Sequence, residues 1–314
     1  MSIDPRAASL RDRLRGRLAA AAATPMDAAG RVEPAVLDAY LRGLLADGAD
    51  ALAVLAHTGR GGHLPAGVRE EVIRRAVALG VPVVVGVGGG AEEDDEVLVR
   101  QAAQAASLGA DGVMVYPPAP GTDPLPRHDR IWRGSGLPLI AFDLYIRPYP
   151  QAALAALLDH PAVAALKVAR LHDAIACQTG LALARSARRL AITGEDRMFG
   201  PSLMWGAEAA LVGLAAAATP VTAAVMRAFG EGRHGDFLAA SARLDALAAA
   251  TFTEPFDGYV RRMLWIAAAE GRLPAETACD LFGPDLPPGQ RERVLACCAG
   301  LGVPTGHATT VAEA

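Results

Sequence analysis

Short apolar runs alternate along the chain with longer stretches in which apolar positions return every three or four residues. The short runs are Leu18–Ala23, Ala51–Ala56, Val81–Val85, Gly112–Tyr116, Leu137–Phe142, Val163–Val168, Leu190–Thr193 and Ala209–Leu214. Continuous apolar runs of this length, without polar alternation, are the pattern of strands covered on both faces. Between them lie helical patterns such as Pro34–Ala46, Pro65–Leu79, Glu92–Leu108 and Gln151–Leu158, with Gly80, Gly109 and Gly206 at plausible helix ends. Eight strand-then-helix units, recurring roughly every 20 to 33 residues, predict an α/β fold: a (β/α)₈ TIM barrel of about 250 residues. A doubly wound open sheet is the alternative, and the absence of a composition break between halves favours closure.

Beyond the eighth unit, Pro220–Phe229, Asp236–Ala250, Tyr259–Glu270, Pro274–Phe282 and Gly289–Gly300 all read as helical. The chain therefore divides into an N-terminal arm (1–17), the barrel (18–230), a C-terminal helical appendage (231–304) and a flexible tail (305–314). The first residues show no apolar pattern beyond Leu10 and Leu14 and are expected to form an exposed arm or a short helix.

The 314 residues are 52% hydrophobic, which excludes disorder as the main state. A net charge of −4 and a pI near 6.0 provide no basic field for a phosphate backbone, so no nucleic acid partner is expected. Arg11, Arg13, Arg15 and Arg17 before Leu18–Ala23 mimic a signal peptide, but the apolar run is too short and alanine-weak, and a first buried strand explains the same letters. No stretch reaches the length of a membrane span. Cys177, Cys279, Cys297 and Cys298 lack C-x-x-C spacing, which fits a reducing cytoplasm.

The basic residues are unevenly divided. Lysine occurs once, at Lys167, so the remaining 29 of the 30 are arginine. Arginine replaces lysine in solvation and ion pairing, but its guanidinium stays protonated and cannot act as a nucleophilic amine. The one exception lies near the C-terminal end of a buried strand, Ala162-Val-Ala-Ala-Leu-Lys-Val168. A lone amine there points to chemistry rather than to a surviving surface lysine.

Reactive groups of such barrels sit at strand C-terminal ends and on the following loops. After the second strand comes Ala56-His57-Thr58-Gly59-Arg60, either a plain Gly-rich turn or one whose backbone and Thr58 hydroxyl suit a carboxylate, with His57 either a structural or surface residue or a group pointing towards Lys167 across the mouth. The third strand leads into Gly86-Val-Gly88-Gly-Gly90-Ala91, a local G-x-G-x-x-A match. It stands in the third unit without a following strand-end acid, so a tight barrel loop explains it better than a dinucleotide site. After the fifth strand, Tyr145 is either a proton donor or a rim residue, and Arg147 either a clamp for a carboxylate or a rim residue; after the seventh, Gly194-Glu195-Asp196 either caps a helix or orients a site group. The seven histidines form no H-x-H or H-E-x-x-H cluster, so neither a metal nor a cofactor is expected.

Taken in order, Thr24-Pro25, Thr58-Gly59, Gly86-Val-Gly88-Gly89, Gly109-Ala-Asp-Gly112, Leu166-Lys167 and Gly194-Glu-Asp196 resemble the dihydrodipicolinate synthase/N-acetylneuraminate lyase family, over about Leu18 to Leu301. The resemblance implies a homo-oligomeric barrel, dimer or tetramer, in which Lys167 condenses with a 2-oxo acid such as pyruvate and Thr58 with its surroundings holds the carboxylate. Lys167, His57 and Tyr145 are then the catalytic candidates. Thr58, Gly59, Arg147, Gly194 and Glu195 are the substrate-binding ones.

The departures are specific. The family's strand-five Tyr-Asn-x-Pro reads Phe142-Asp143-Leu144-Tyr145, its Thr-Thr-Gly-Glu reads His57-Thr58-Gly59-Arg60, and its tyrosine pair after strand four is Pro118-Ala119. The usual tyrosine–threonine relay is missing, and Pro148-Tyr149 follows Arg147 in place of Thr-Gly. The expected activity is a Schiff-base lyase or aldolase that is neither a true dihydrodipicolinate synthase nor a sialic acid lyase. The alternatives are dehydration of a 2-keto-3-deoxy sugar acid through the same imine, and a 2-oxo-acid-binding paralogue with reduced turnover.

Overall fold

The computed structural model describes residues 2–90 and 94–305. Eight parallel strands, Leu18–Ala21 (β1), Ala51–Val54 (β2), Val83–Val87 (β3), Gly112–Val115 (β4), Leu139–Leu144 (β5), Val163–Ala169 (β6), Leu190–Thr193 (β7) and Ala209–Val212 (β8), pair in sequence order, and β8 returns to β1 to close the barrel. An initial helix, Pro5–Leu14 (α1), precedes β1. Pro34–Ala46 (α2), Ala66–Val77 (α3), Asp95–Ser107 (α4), Leu125–Ser135 (α5), Gln151–Leu158 (α6), Ala174–Ser186 (α7), Phe199–Met204 (α8) and Thr219–Gly230 (α9) follow the strands in turn. His234–Thr251 (α10), Tyr259–Ala269 (α11) and Gln290–Gly300 (α12) complete the chain.

Strand alternation sorts side chains onto two faces. Leu18, Leu52, Val83, Val85, Val113 and Leu166 face outward into one large core shared with the surrounding helices and with α10–α12. Ala19, Ala21, Ala51, Ala53, Ala165 and Ala209 face inward, with Met114, Ile140 and Phe142. So many inward alanines leave the lower barrel short of volume, and α1 supplies it.

Residues 5–14 are accordingly not an exposed arm. Asp4 caps α1 through Arg6 N (2.8 Å), and Ala7, Leu10 and Leu14, on one helical face, are buried with the barrel interior. Gly112 makes room: a Cβ there would lie 2.5 Å from Leu10 Cδ2. Around this plug Arg13, Arg15 and Arg17 pair with Asp111, Glu208 and Asp50 at the feet of β4, β8 and β2. Truncating Leu10 to alanine empties a site that nothing else fills. The expected loss is about 2–5 kcal/mol in denaturant unfolding.

Other boundaries shift for local reasons. The third strand begins at Val83 rather than Val81 and runs through Gly86 to Val87. A Cβ on Gly86 would meet Leu55 O at 2.2 Å, and one on Gly89, at φ +82°, would meet the Tyr116 ring at 2.9 Å. These glycines thus serve close barrel packing; Ala91 of that motif, and Glu92 at the start of the expected helix, lie outside the described residues. Pro274–Phe282 is not a helix. After a single 3₁₀ turn, Ala275–Thr277, the backbone pairs with Met26, which donates to Thr277 O (3.0 Å) and accepts from Cys279 N (3.3 Å), and these bonds replace helical ones. All of the tail but Thr305 lies outside the described residues. No helix among them is long and apolar enough to cross a membrane.

Candidate active site

Lys167 lies between the inward residues Ala165 and Ala169 of β6, so strand alternation turns its side chain into the barrel. Its register partners are Phe142 on β5 and Ile192 on β7, and Nζ stands 4.2 Å over the centroid of the Phe142 ring. The residue is only 6% exposed. Gly194 makes this placement possible, because a Cβ there would come within 2.5 Å of Lys167 Cε. Burial pulls the amine well below its usual 10.5, with the charges of Asp196 and Glu195 acting against the shift.

The two acids after β7 do different things. Glu195, fully buried, accepts from Arg170 N (2.5 Å) and Leu171 N (2.9 Å) and takes a further hydrogen bond from the Cys177 thiol. Its carboxylate thus pins the turn after β6 and does not line the cavity. Asp196 does line it, beside Lys167, and accepts from Leu214 N at 2.9 Å. Burial pushes the Asp196 carboxyl well above the usual carboxylate range, and the Lys167 charge works against that shift.

Thr58 stands in the turn after β2, with its hydroxyl 3.0 Å from the Tyr259 hydroxyl at the start of α11. Gly59 is packing: Thr24 Oγ1 donates to Gly59 O (2.8 Å), and a Cβ there would lie 2.8 Å from Leu55 N. His57 Nε2 lies 3.3 Å from Asp257 Oδ1, and the Tyr145 hydroxyl donates to that same oxygen at 3.4 Å. The hydrogen bond from His57 holds Asp257 below the usual carboxylate range, and burial raises the Tyr145 phenol.

These groups line two adjoining spaces. An inner cavity of about 30 Å³ holds Lys167, Thr58, Tyr145, Asp196 and Tyr259; an outer one of about 260 Å³ is lined by Arg147, Tyr116, Asp257 and Phe282. His57 and Leu144 belong to both. The structure therefore brings Lys167, His57, Tyr145, Thr58 and Gly194 to one cavity, sets Arg147 in the vestibule and leaves Gly59 and Glu195 in the walls.

Asp257 and Tyr259 escaped the sequence reading, and of the Gly194-Glu195-Asp196 run it took Glu195 rather than Asp196 into the site. Asp196 sits one residue beyond the acid singled out, and strand-end alternation was the available signal. The other two have no local signature, since they arrive from the C-terminal region. Arg60 helps to bring them there. Buried at 6% exposure, it donates to both oxygens of Asp280 (3.1 and 2.8 Å) and to Asp257 O (2.7 Å), tying the β2 turn to the segment above the cavity.

The family model of the dihydrodipicolinate synthetase family matches residues 14–274. The chain belongs to that family. A 4-hydroxy-tetrahydrodipicolinate synthase of Synechococcus sp. (strain WH7803) is 31% identical over 227 residues, covering 69% of this chain and 72% of the relative. One from Bifidobacterium longum (strain DJO10A) is 29% identical over 286 residues, 86% and 90% of the two chains. Among solved structures, the dihydrodipicolinate synthase of Thermotoga maritima superposes with a TM-score of 0.82 at 20% identity, over 93% of this chain and 99% of that one. A prophage protein of the same family from E. coli K12, solved in complex with pyruvate, gives 0.81 at 18%, over 91% and 98%. At such identities the likeness is one of fold; Phe142 faces Lys167 across the β5–β6 ladder.

Proposed function

We propose that the protein is a Schiff-base-forming lyase of the aldolase type, acting on a 2-oxo acid of the pyruvate kind through Lys167. The observation that carries this reading is the chain's single lysine, buried inside the barrel mouth with its amine shifted towards neutrality. A neutral amine attacks the C2 carbonyl, water leaves, and the iminium accepts the electron pair of an adjacent bond as it breaks or forms. The backbone N–H groups of the turn at Thr58 receive the carboxylate. His57, set on Asp257 at the junction of the two cavities, exchanges a proton with whatever stands in the vestibule, and Arg147 meets an anionic group there. The pyruvate complex of the E. coli fold neighbour supports the substrate class. Phe142, Pro118-Ala119 and Pro148-Tyr149, each standing where the family's synthases keep polar or flexible groups, favour a reaction other than dihydrodipicolinate synthesis.

The test is intact mass after incubation with pyruvate and borohydride, followed by peptide mapping. One reduced adduct on Lys167 is expected, and no adduct with any of a panel of 2-oxo acids overturns the assignment. The pH dependence adds a second check. Because only the neutral amine attacks, the rate of adduct formation rises with pH and levels off well below 10.5. Asp196 favours the charged amine, so Asp196→Asn moves the midpoint to still lower pH; a shift upward shows that its charge does not act on Lys167.

A further inference from the structure

We infer that Tyr259, which enters from outside the barrel, is the proton-transfer residue of imine formation, acting through the Thr58 hydroxyl; this rests on the Schiff-base reading above. The family's tyrosine position at Lys167 is occupied here by Phe142, which carries no proton, yet the cavity still contains a paired phenol and threonine. Their hydroxyls are 3.0 Å apart, inside the space that Lys167 lines.

The placement of Tyr259 is built rather than incidental. Its ring stacks on Phe252 with centroids 4.4 Å apart and planes 22° from parallel. The opposite wall is Gly213, where a Cβ would come within 2.8 Å of Tyr259 Cε2. The residue is 6% exposed, and its burial holds the phenol neutral, so it carries a donatable proton across the working pH range. Among the described lining residues of the inner cavity, His57 and Tyr145 are both turned to Asp257, whereas Tyr259 and Thr58 are turned to each other.

The step balances as follows. The Lys167 lone pair forms the C–N bond to C2, and the carbonyl π pair moves onto oxygen, which takes the Thr58 proton. Tyr259 replaces that proton and recovers one from the new C–N–H group, so the carbinolamine forms with no net proton change. Loss of water then breaks the C–O bond. The single proton it consumes comes from the medium through the same hydroxyl pair, leaving iminium and water.

The experiment is rapid-quench borohydride trapping with pyruvate, comparing the wild type with Tyr259→Phe, Thr58→Ser, Thr58→Val and the Tyr259→Phe/Thr58→Val double variant. Tyr259→Phe and Thr58→Val are expected to slow adduct formation about 100-fold or more while reaching the wild-type final yield. Thr58→Ser keeps the wild-type rate, and the double variant is no slower than the slower single one, as for two groups in one relay. Trapping by Tyr259→Phe at the wild-type rate overturns the assignment, as does a fully additive double variant. Should Tyr259→Phe not fold, 3-fluorotyrosine placed at position 259 decides, because it is nearly isosteric with tyrosine and more acidic: an altered trapping rate is expected, and an unchanged one overturns the assignment. Absence of an adduct in the wild type is a different result, which removes the Schiff-base reading itself.

Discussion

Replacing Lys167 by arginine leaves no reduced adduct with any 2-oxo acid, and turnover falls by about 10³-fold or more. The chain uses arginine at every other basic position, so this substitution removes the one property that distinguishes position 167. Charge and hydrogen-bond donors remain, but the guanidinium stays protonated and does not add to a carbonyl. Lys167→Met separates chemistry from folding. The folded amine binds its proton more weakly than the unfolded one, so the wild type pays a stability penalty that is complete at acidic pH and disappears above 10.5, where both states are neutral. Methionine carries no such penalty. The variant is expected to be inactive yet to melt at a higher temperature near neutral pH, with the gain shrinking as pH rises towards 10.5; thermal melts across that range, alongside the trapping assay, check both halves. An adduct that persists in either variant refutes the role of Lys167.

Replacing Arg262 by methionine is expected to cost about 3–5 kcal/mol and to remove most adduct-forming activity, although Arg262 lines neither cavity. Its side chain has no exposed surface. Nη1 donates to Thr251 O and Thr253 O, both at 2.8 Å, Nη2 to Glu254 O (3.3 Å) and Pro255 O (3.2 Å), and Nε to Gln290 Oε1 (3.0 Å). Methionine fills much of the volume but leaves these acceptors without their donor, at about 1–3 kcal/mol for each that stays buried. The carbonyls belong to the last residue of α10 and the segment that joins it to α11, which carries Phe252, Phe256 and Asp257 to the two cavities and sets the start of α11 at Tyr259. Denaturant unfolding measures the first effect and borohydride trapping the second. A variant that unfolds like the wild type shows that water replaces the clamp at no cost.

The barrel was legible because each strand declares its burial locally. A run such as Val81–Val85 has no polar face, and eight runs of this kind recur at barrel spacing; with both faces apolar, the letters around residue 167 do not say which face turns inward, and the structure sets Lys167 inward with Ala165 and Ala169. Lys167 was legible for a second reason, since its chemistry is unique in the composition. The Pro274–Phe282 stretch misled because its helical spacing is real, but the backbone there finds better partners in Met26, and Asp280 finds Arg60.

Sequence by itself thus determined the strand order, the place of Lys167 near a strand's C-terminal end and the loops that surround it, because periodicity and composition act over a few residues. Tertiary structure decided what fills the space between them. Leu10 occupies the room that Gly112 leaves in the barrel floor, Asp196 rather than Glu195 faces the amine, and Arg60 pairs with an aspartate at position 280. The hydroxyl beside Thr58 belongs to a residue 201 positions further along the chain. Such pairings are set by which segments the closed barrel and its C-terminal helices press together, and residues so far apart leave no pattern in either stretch read alone.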